Sequence, residues 1–171
     1  MKKFLLIILL SLGAKQVVAS EIVAVNSNTC QKVASQNQAF ILVLKRGENV
    51  IDALLTCAKD AQLTSASLSG LGALENPTLA YYNLASKQYQ NKNFSGIFEL
   101  SSLNGNLAQI DGKTKAHIHV TLSDKAYHLL GGHLTQALVG ATVELTVLPL
   151  PGKISRKHDD KTGLDLISAQ A

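Results

Sequence analysis

The feature that most constrains the fold is a single amphipathic helical segment followed by a long succession of strand-like segments. Residues 48–62 carry apolar side chains at three- and four-residue spacing, which predicts a helix with one buried face. From residue 65 to residue 148, apolar and polar residues alternate between turn-forming residues, as is typical of strands. We therefore predict an α+β fold, in which a largely antiparallel sheet is covered by one main helix.

The turn signals divide this region into separate strands. Asn104-Gly105 predicts a hairpin turn before a return strand at 107–110, and a short helical turn is expected at 135–138. Such a sheet has several edges to cover, which favours an oligomer. The other strands are predicted at 39–44, 78–84, 94–101, 116–122 and 141–148.

The first nineteen residues have the pattern of a secretory signal peptide. Lys2 and Lys3 precede an apolar run over 4–12, and a short segment ends at Ala19, after which we predict cleavage. The run is too short to span a bilayer, which takes roughly 20 residues, so we expect no stable membrane insertion. We predict a periplasmic or secreted protein, since both destinations use the same leader. The alternative is a buried helix or a retained anchor.

The remaining chain is predicted to form a polar N-terminal arm at 20–37 and one domain at 38–168. Without residues 1–19 the chain has 13 basic and 12 acidic residues, a net charge near +1. Nonspecific DNA binding needs several cations that neutralise phosphates, so the charge lends it no support. A nucleic-acid partner is not expected for an exported chain of this composition.

The two cysteines, Cys30 and Cys57, have two possible states. They can pair in an oxidising compartment. Cys57 also falls on the apolar side of the predicted helix, where a free thiol packs as a small hydrophobe. The sequence leaves both states open.

Two histidines lie on one face of the predicted strand at 116–122. Side chains alternate across a strand, so His117 and His119 point the same way while Ile118 and Val120 point into the core. Both imidazoles could therefore approach one ion. The alternative is a solvated polar face of the sheet.

A third histidine follows a glycine pair that permits close backbone approach. His133 comes directly after Gly131-Gly132 and is a third candidate ligand, in addition to His117 and His119. Zinc favours nitrogen ligands, and three protein ligands leave a fourth position open for water or substrate. Zinc-bound water has a pKa near ~7, which makes hydrolytic chemistry possible.

Four further residues complete the candidate set. Glu99, among apolar residues of a strand, is a candidate acid or base, or a solvated carboxylate. Arg156 is a candidate contact for an anion. His128 and His158 lack such surroundings and are predicted to be surface residues.

Several short motifs together resemble the PPC (plants and prokaryotes conserved) domain family, also called DUF296. The resemblance covers about residues 38–168. It rests on Gly70-Leu71-Gly72, Tyr81-Tyr82-Asn83, Phe98 to Asn106, His117-Ile118-His119-Val120, Gly131-Gly132-His133-Leu134, Arg156 and Thr162-Gly163-Leu164.

The resemblance implies a mostly antiparallel sheet with one main helix, assembled as a homotrimer. It also implies a metal site, usually zinc, with His117, His119 and His133 as ligands. The family is often labelled DNA-binding, but plant members contact DNA through a separate AT-hook with an Arg-Gly-Arg-Pro core. This sequence contains no such core.

Three functions follow as hypotheses. The first is an exported homotrimer that binds a transition metal, with zinc the expected ion, and that could be a metal-dependent enzyme acting on a small-molecule ligand. The second is a DNA-binding protein. The third is an interaction module without chemistry, whose histidines line a cleft or pore.

Overall fold

The computed structural model describes residues 22–34 and 37–168, so the predicted signal peptide at 1–19 lies outside the described residues. Within these residues there is one α-helix, α1 (Val50–Asp60), and no helix is long and apolar enough to cross a membrane. A 3-10 helix spans Cys30–Val33. The strands are β1 (Val23–Asn26), β2 (Phe40–Lys45), β3 (Ala66–Asn83), β4 (Gln88–Asn93), β5 (Ile97–Ile110), β6 (Lys113–Ser123), β7 (Leu129–Pro149), β8 (Arg156–Asp159) and β9 (Leu164–Ile167).

The two longest strands, β3 and β7, organise the sheet. Strand β7 pairs with β3 along one edge. Along the other edge, the N-terminal part of β7 pairs with β6 and the C-terminal part of β7 pairs with β2. Strand β5 pairs with both β3 and β6, so β3, β5, β6 and β7 close into a ring. Apart from the parallel pair β1–β2, all of these pairings are antiparallel. The predicted α+β class with a largely antiparallel sheet and one main helix is confirmed.

Helix α1 covers the sheet with the apolar face that its spacing predicts. The side-chain oxygen of Asn49 accepts hydrogen bonds from the backbone N–H groups of Ile51 and Asp52, which caps the helix N-terminus. The apolar face packs into the core formed with β2, β6 and β7, and each fully buried Val or Leu contributes about 1.5–3 kcal/mol. The buried helix residues are Val50, Leu54, Cys57 and Ala58.

A disulfide ties the N-terminal arm to this helix. Cys30 and Cys57 are joined, with their Cα atoms 5.2 Å apart, and both are buried. The arm also contributes β1, which pairs with β2. Of the two states that the sequence left open, the structure has the disulfide.

Two local predictions are wrong. Asn104-Gly105 is not a hairpin turn, because β5 continues through it without interruption. The glycine is needed for another reason: a Cβ atom at Gly105 would collide with the carbonyl oxygen of His117 on β6. Residues 135–138 form no helical turn but belong to β7, where Ala137 is fully buried. In both places long-range strand pairing outweighs the local turn or helix preference.

Candidate metal centre

Strand β6 separates the core from a histidine face. Ile118 and Val120 point into the core, where 1% and 4% of their surfaces are exposed. His117 and His119 alternate with them and point to the other side, where His117 is half-buried and His119 exposed. The predicted alternation along this strand is thus confirmed.

The register between β6 and β7 brings in the third histidine. His133 lies directly opposite His119 in the antiparallel pair. A Cβ atom at Gly131 would lie 2.6 Å from the carbonyl oxygen of Val120, so only glycine lets the two strands come this close. The imidazole ring centres are 5.1 Å (117 to 119), 5.1 Å (117 to 133) and 5.4 Å (119 to 133) apart.

These three side chains fit a metal ion. One nitrogen from each ring lies within 4.8 Å of the nitrogens of the other two. Tetrahedral zinc with bonds of about 2.0–2.1 Å needs nitrogens roughly 3.4 Å apart, so side-chain rotations that close the gaps by at most ~1.4 Å suffice. Among the described residues, the Nδ1 atom of His133 is also the one buried side-chain polar atom without a hydrogen-bond partner. An ion bound to it would supply that partner.

The surroundings keep two of the imidazoles neutral. Burial, and then the positive charge of Arg156 and the neighbouring histidines, lower the pKa of His117 to about 4. Burial, followed by His119 and Arg156, also lowers the pKa of His133. Only a neutral imidazole has a lone pair free to bind a metal, so both rings are ready to act as ligands at neutral pH.

Arg156 reaches the histidines from the hairpin formed by β8 and β9. Its guanidinium donates to Asn106 Oδ1 at 2.9 Å and to the backbone oxygen of Asp165 at 3.0 Å. It also lies 3.1 Å from Nδ1 of His117. Because a guanidinium can only donate, Nδ1 of His117 is the acceptor and carries no proton in this arrangement.

The β8–β9 hairpin is fastened to the sheet at two places. At its tip, the Tyr82 hydroxyl donates to the backbone oxygen of Thr162 at 2.6 Å. At its base, the backbone N–H of Gln109 on β5 donates to the oxygen of Ile154 at 2.8 Å. These contacts hold Arg156 over the histidine face.

The histidines and the hairpin line an open cavity of about 680 Å³. One wall is aromatic: the ring of Tyr89 lies 4.8 Å from that of Tyr82 and 5.3 Å from that of His133, measured between ring centres. Lys115 and Asp165 add charged groups to the lining. The apolar side chains that line it are Ala80, Ile110, Ala116, Leu164 and Leu166.

The structure brings some of the predicted site residues together and leaves others apart. Arg156 reaches His117, whereas Glu99 lies exposed on β5, opposite Ser123, and is not among the described residues that line the cavity. His128 and His158 lie on the surface, as predicted.

Three residues of the site escaped prediction. Tyr82 and Asn106 lie in segments that carry the family resemblance, but nothing in those segments assigns them a role, and Tyr89 lies in a polar segment without a motif. The useful signal is the strand register, which pairs Asn106 with His117 and Tyr82 with Tyr89. That register is a long-range property, so residue spacing alone does not reveal it.

Comparison with known proteins places this geometry in a family. The profile of the "Plants and Prokaryotes Conserved (PCC) domain" matches residues 31–151. The chain belongs to the PCC domain family. The expected resemblance to PPC proteins is thereby confirmed, since PPC and PCC abbreviate the same name. No curated protein matches the sequence.

Three solved structures share the fold. A PPC protein from Pyrococcus horikoshii is 30% identical, with a TM-score of 0.74, over 78% of this chain and 93% of that one. A metal-containing protein from Archaeoglobus fulgidus is 32% identical, with a TM-score of 0.73, over 77% and 94%. A protein from Bacteroides thetaiotaomicron that is provisionally named DNA-binding is 28% identical, with a TM-score of 0.74, over 77% and 92%.

Proposed function

We propose that this PCC-domain protein binds one zinc ion per chain through His117, His119 and His133. The observation that carries the proposal is the convergence of three imidazole nitrogens within 4.8 Å. The unpartnered Nδ1 of His133 and the lowered pKa values of His117 and His133 support it. A related protein from Archaeoglobus fulgidus is itself described as metal-containing.

The choice of zinc follows from the ligand chemistry. Three imidazoles suit zinc, and they leave a fourth position for water or a small ligand. When bound, zinc would act as a Lewis acid and lower the pKa of a coordinated water toward ~7. The chain's own contribution is to hold the three rings on two paired strands, with Arg156 beside them.

Elemental analysis of the purified protein tests the site. We expect about one zinc per chain, and we expect His119→Ala to weaken zinc binding by at least ~100-fold because one of three protein ligands is lost. His128→Ala is the matched control, because that imidazole is exposed and contacts Asp124 instead. Full zinc content in His119→Ala would contradict the proposal.

We also propose that the protein is exported to the periplasm or beyond and acts as a homotrimer. The signal-like residues 1–19 and the Cys30–Cys57 disulfide support export, because disulfides persist in oxidising compartments. Large exposed apolar side chains such as Tyr81 and Ile97 support a subunit interface. Intact mass after expression with the leader should show loss of residues 1–19, and light scattering should give three times the chain mass.

DNA binding is the competing function, since a relative from Bacteroides thetaiotaomicron is provisionally named for it. The near-neutral charge without residues 1–19 argues against a phosphate interface in this chain. We expect no binding to duplex DNA at low salt. Duplex binding whose affinity falls steeply with added salt would instead favour the DNA-binding hypothesis.

A further inference from the structure

We propose that the cavity beside the three histidines binds a small organic carboxylate with an apolar body, and that its carboxylate is shared between the metal and Arg156. This inference rests on the proposed metal site. It names the class of ligand that the fourth metal position and the cavity would hold together.

The charge of Arg156 favours an anionic ligand. In the part of the chain that the structure describes, the half-buried guanidinium contacts only neutral acceptors: an amide oxygen, a backbone oxygen and an imidazole nitrogen. Within residues 22–34 and 37–168, no carboxylate lies within ion-pair distance of it. The carboxylate of Asp165 lies instead 3.4 Å from His158. A partly desolvated cation without a counter-charge favours an anionic ligand, and a carboxylate matches the two-pronged guanidinium.

The hydrogen bond between Arg156 and His117 is incompatible with a metal bound to His117. A metal on Nδ1 of His117 would take the lone pair that now accepts from Arg156. A metal on Nε2 would leave the proton of the neutral ring on Nδ1. The Nδ1–H group would then face an N–H group of Arg156, and two donors cannot form a hydrogen bond with each other. In either case Arg156 cannot keep donating to His117 once the metal is bound. The freed N–H group needs an acceptor close to the metal, and a metal-bound carboxylate oxygen provides one.

The size and lining of the cavity suit an organic ligand. Its volume of about 680 Å³ matches a small organic molecule rather than a simple inorganic anion. The lining also includes Ile110, Leu164 and Leu166, and the aromatic wall of Tyr82 and Tyr89 stands beside His133. These surfaces suit an apolar or aromatic body attached to the carboxylate.

Calorimetric titration with benzoate tests the inference. The zinc-loaded protein should bind benzoate, and should bind the neutral isostere benzamide at least ~10-fold more weakly. Arg156→Gln should weaken benzoate binding by ~10- to 100-fold. Lys157→Gln is the control, because it removes the neighbouring charge from an exposed position that pairs with Leu166. Acetate should bind more weakly than benzoate, because it leaves the apolar lining uncovered.

A second measurement distinguishes a carboxylate held by both the metal and Arg156 from a nonspecific effect of the positive charge on benzoate binding. Metal and carboxylate binding must strengthen each other reciprocally. At the same benzoate concentration, benzoate should therefore raise the zinc affinity of the unmodified protein more than that of Arg156→Gln. Without benzoate, Arg156→Gln should bind zinc at least as tightly as the unmodified protein, because a repulsive charge and a competing hydrogen bond are gone. Arg156→Lys keeps the positive charge but loses the planar guanidinium with its paired N–H groups. It should therefore recover only part of the benzoate affinity.

The outcomes distinguish the two proposals. Failure to bind zinc would overturn the metal site and this inference together. Zinc binding without benzoate binding, or with equal benzoate affinity in Arg156→Gln, would overturn this inference alone. Equal benzoate affinity with and without zinc would also overturn it, because the carboxylate would then not be shared with the metal. Circular dichroism of each variant ensures that lost binding is not lost folding.

Discussion

The cap and the histidine cavity are built on opposite principles. The disulfide-tethered cap (β1, the 3-10 helix and α1) is closed, with Cys30 and Cys57 at most 1% exposed and the apolar helix face packed on the sheet. Among the described residues, the histidine cavity leaves a buried nitrogen of His133 unpartnered and the cation of Arg156 without a carboxylate within ion-pair distance. The cap therefore adds a cross-linked, closed layer to the core, whereas the cavity keeps polar groups that a ligand could satisfy.

We expect the largest effect from removing the disulfide of the cap. Replacing both Cys30 and Cys57 by alanine releases a loop with a sequence separation of 27 residues. Loop entropy alone predicts a loss of about 3.5 kcal/mol in the free energy of unfolding. Urea denaturation of both proteins measures it.

The zinc affinity of the same variant tests whether the cap and the cavity depend on each other. If they are independent, zinc should bind to the folded double variant as tightly as to the unmodified protein. A large loss of zinc affinity in the folded variant would show that the cap also shapes the cavity.

The second-largest effect is a pH dependence of the free energy of unfolding that arises from the cavity. The pKa of His117 is lowered from 6.5 to about 4, so between these values the unfolded chain binds more protons than the folded one. Stability of the metal-free protein should therefore be complete above pH 6.5 and fall as the pH drops toward 4. The loss should be about 1–2 kcal/mol, reduced from the full shift because solvent screens this half-exposed ring.

Denaturation at several pH values, with a chelator present, measures this loss. His117→Gln should flatten the pH dependence, whereas His128→Gln, at an exposed position, should leave it unchanged. Parallel curves for the unmodified protein and His117→Gln would assign the acid sensitivity to other groups.

The smallest effect concerns the hairpin that carries Arg156. Tyr82→Phe removes the hydroxyl that donates to Thr162 and should cost about 1 kcal/mol. The loss should be local, so hydrogen exchange of the backbone amides of 164–167 should quicken while that of α1 stays the same. Tyr81→Phe is the control, because the ring of Tyr81 is 71% exposed. Equal exchange in both variants would show that the hairpin does not depend on this hydroxyl.

Some parts of the molecule were predictable because they depend on short-range periodicity. The helix at 48–62 matches α1, and the alternation around His117 and His119 matches the two faces of β6. The continuation of β5 through Asn104-Gly105 was not predictable in this way. This dipeptide is typical of hairpins, yet in the fold the glycine serves the close approach of β5 to β6.

Successive side chains of a strand alternate, so residue spacing alone places His117 and His119 on one face. The position of His133 opposite His119, and the contact of Arg156 with His117, 39 residues earlier in the chain, are properties of the tertiary structure. Strand register and hairpin docking arise from hydrogen bonds between residues far apart in the chain. Residue spacing specifies the faces of each strand, and the pairing of strands specifies which faces meet.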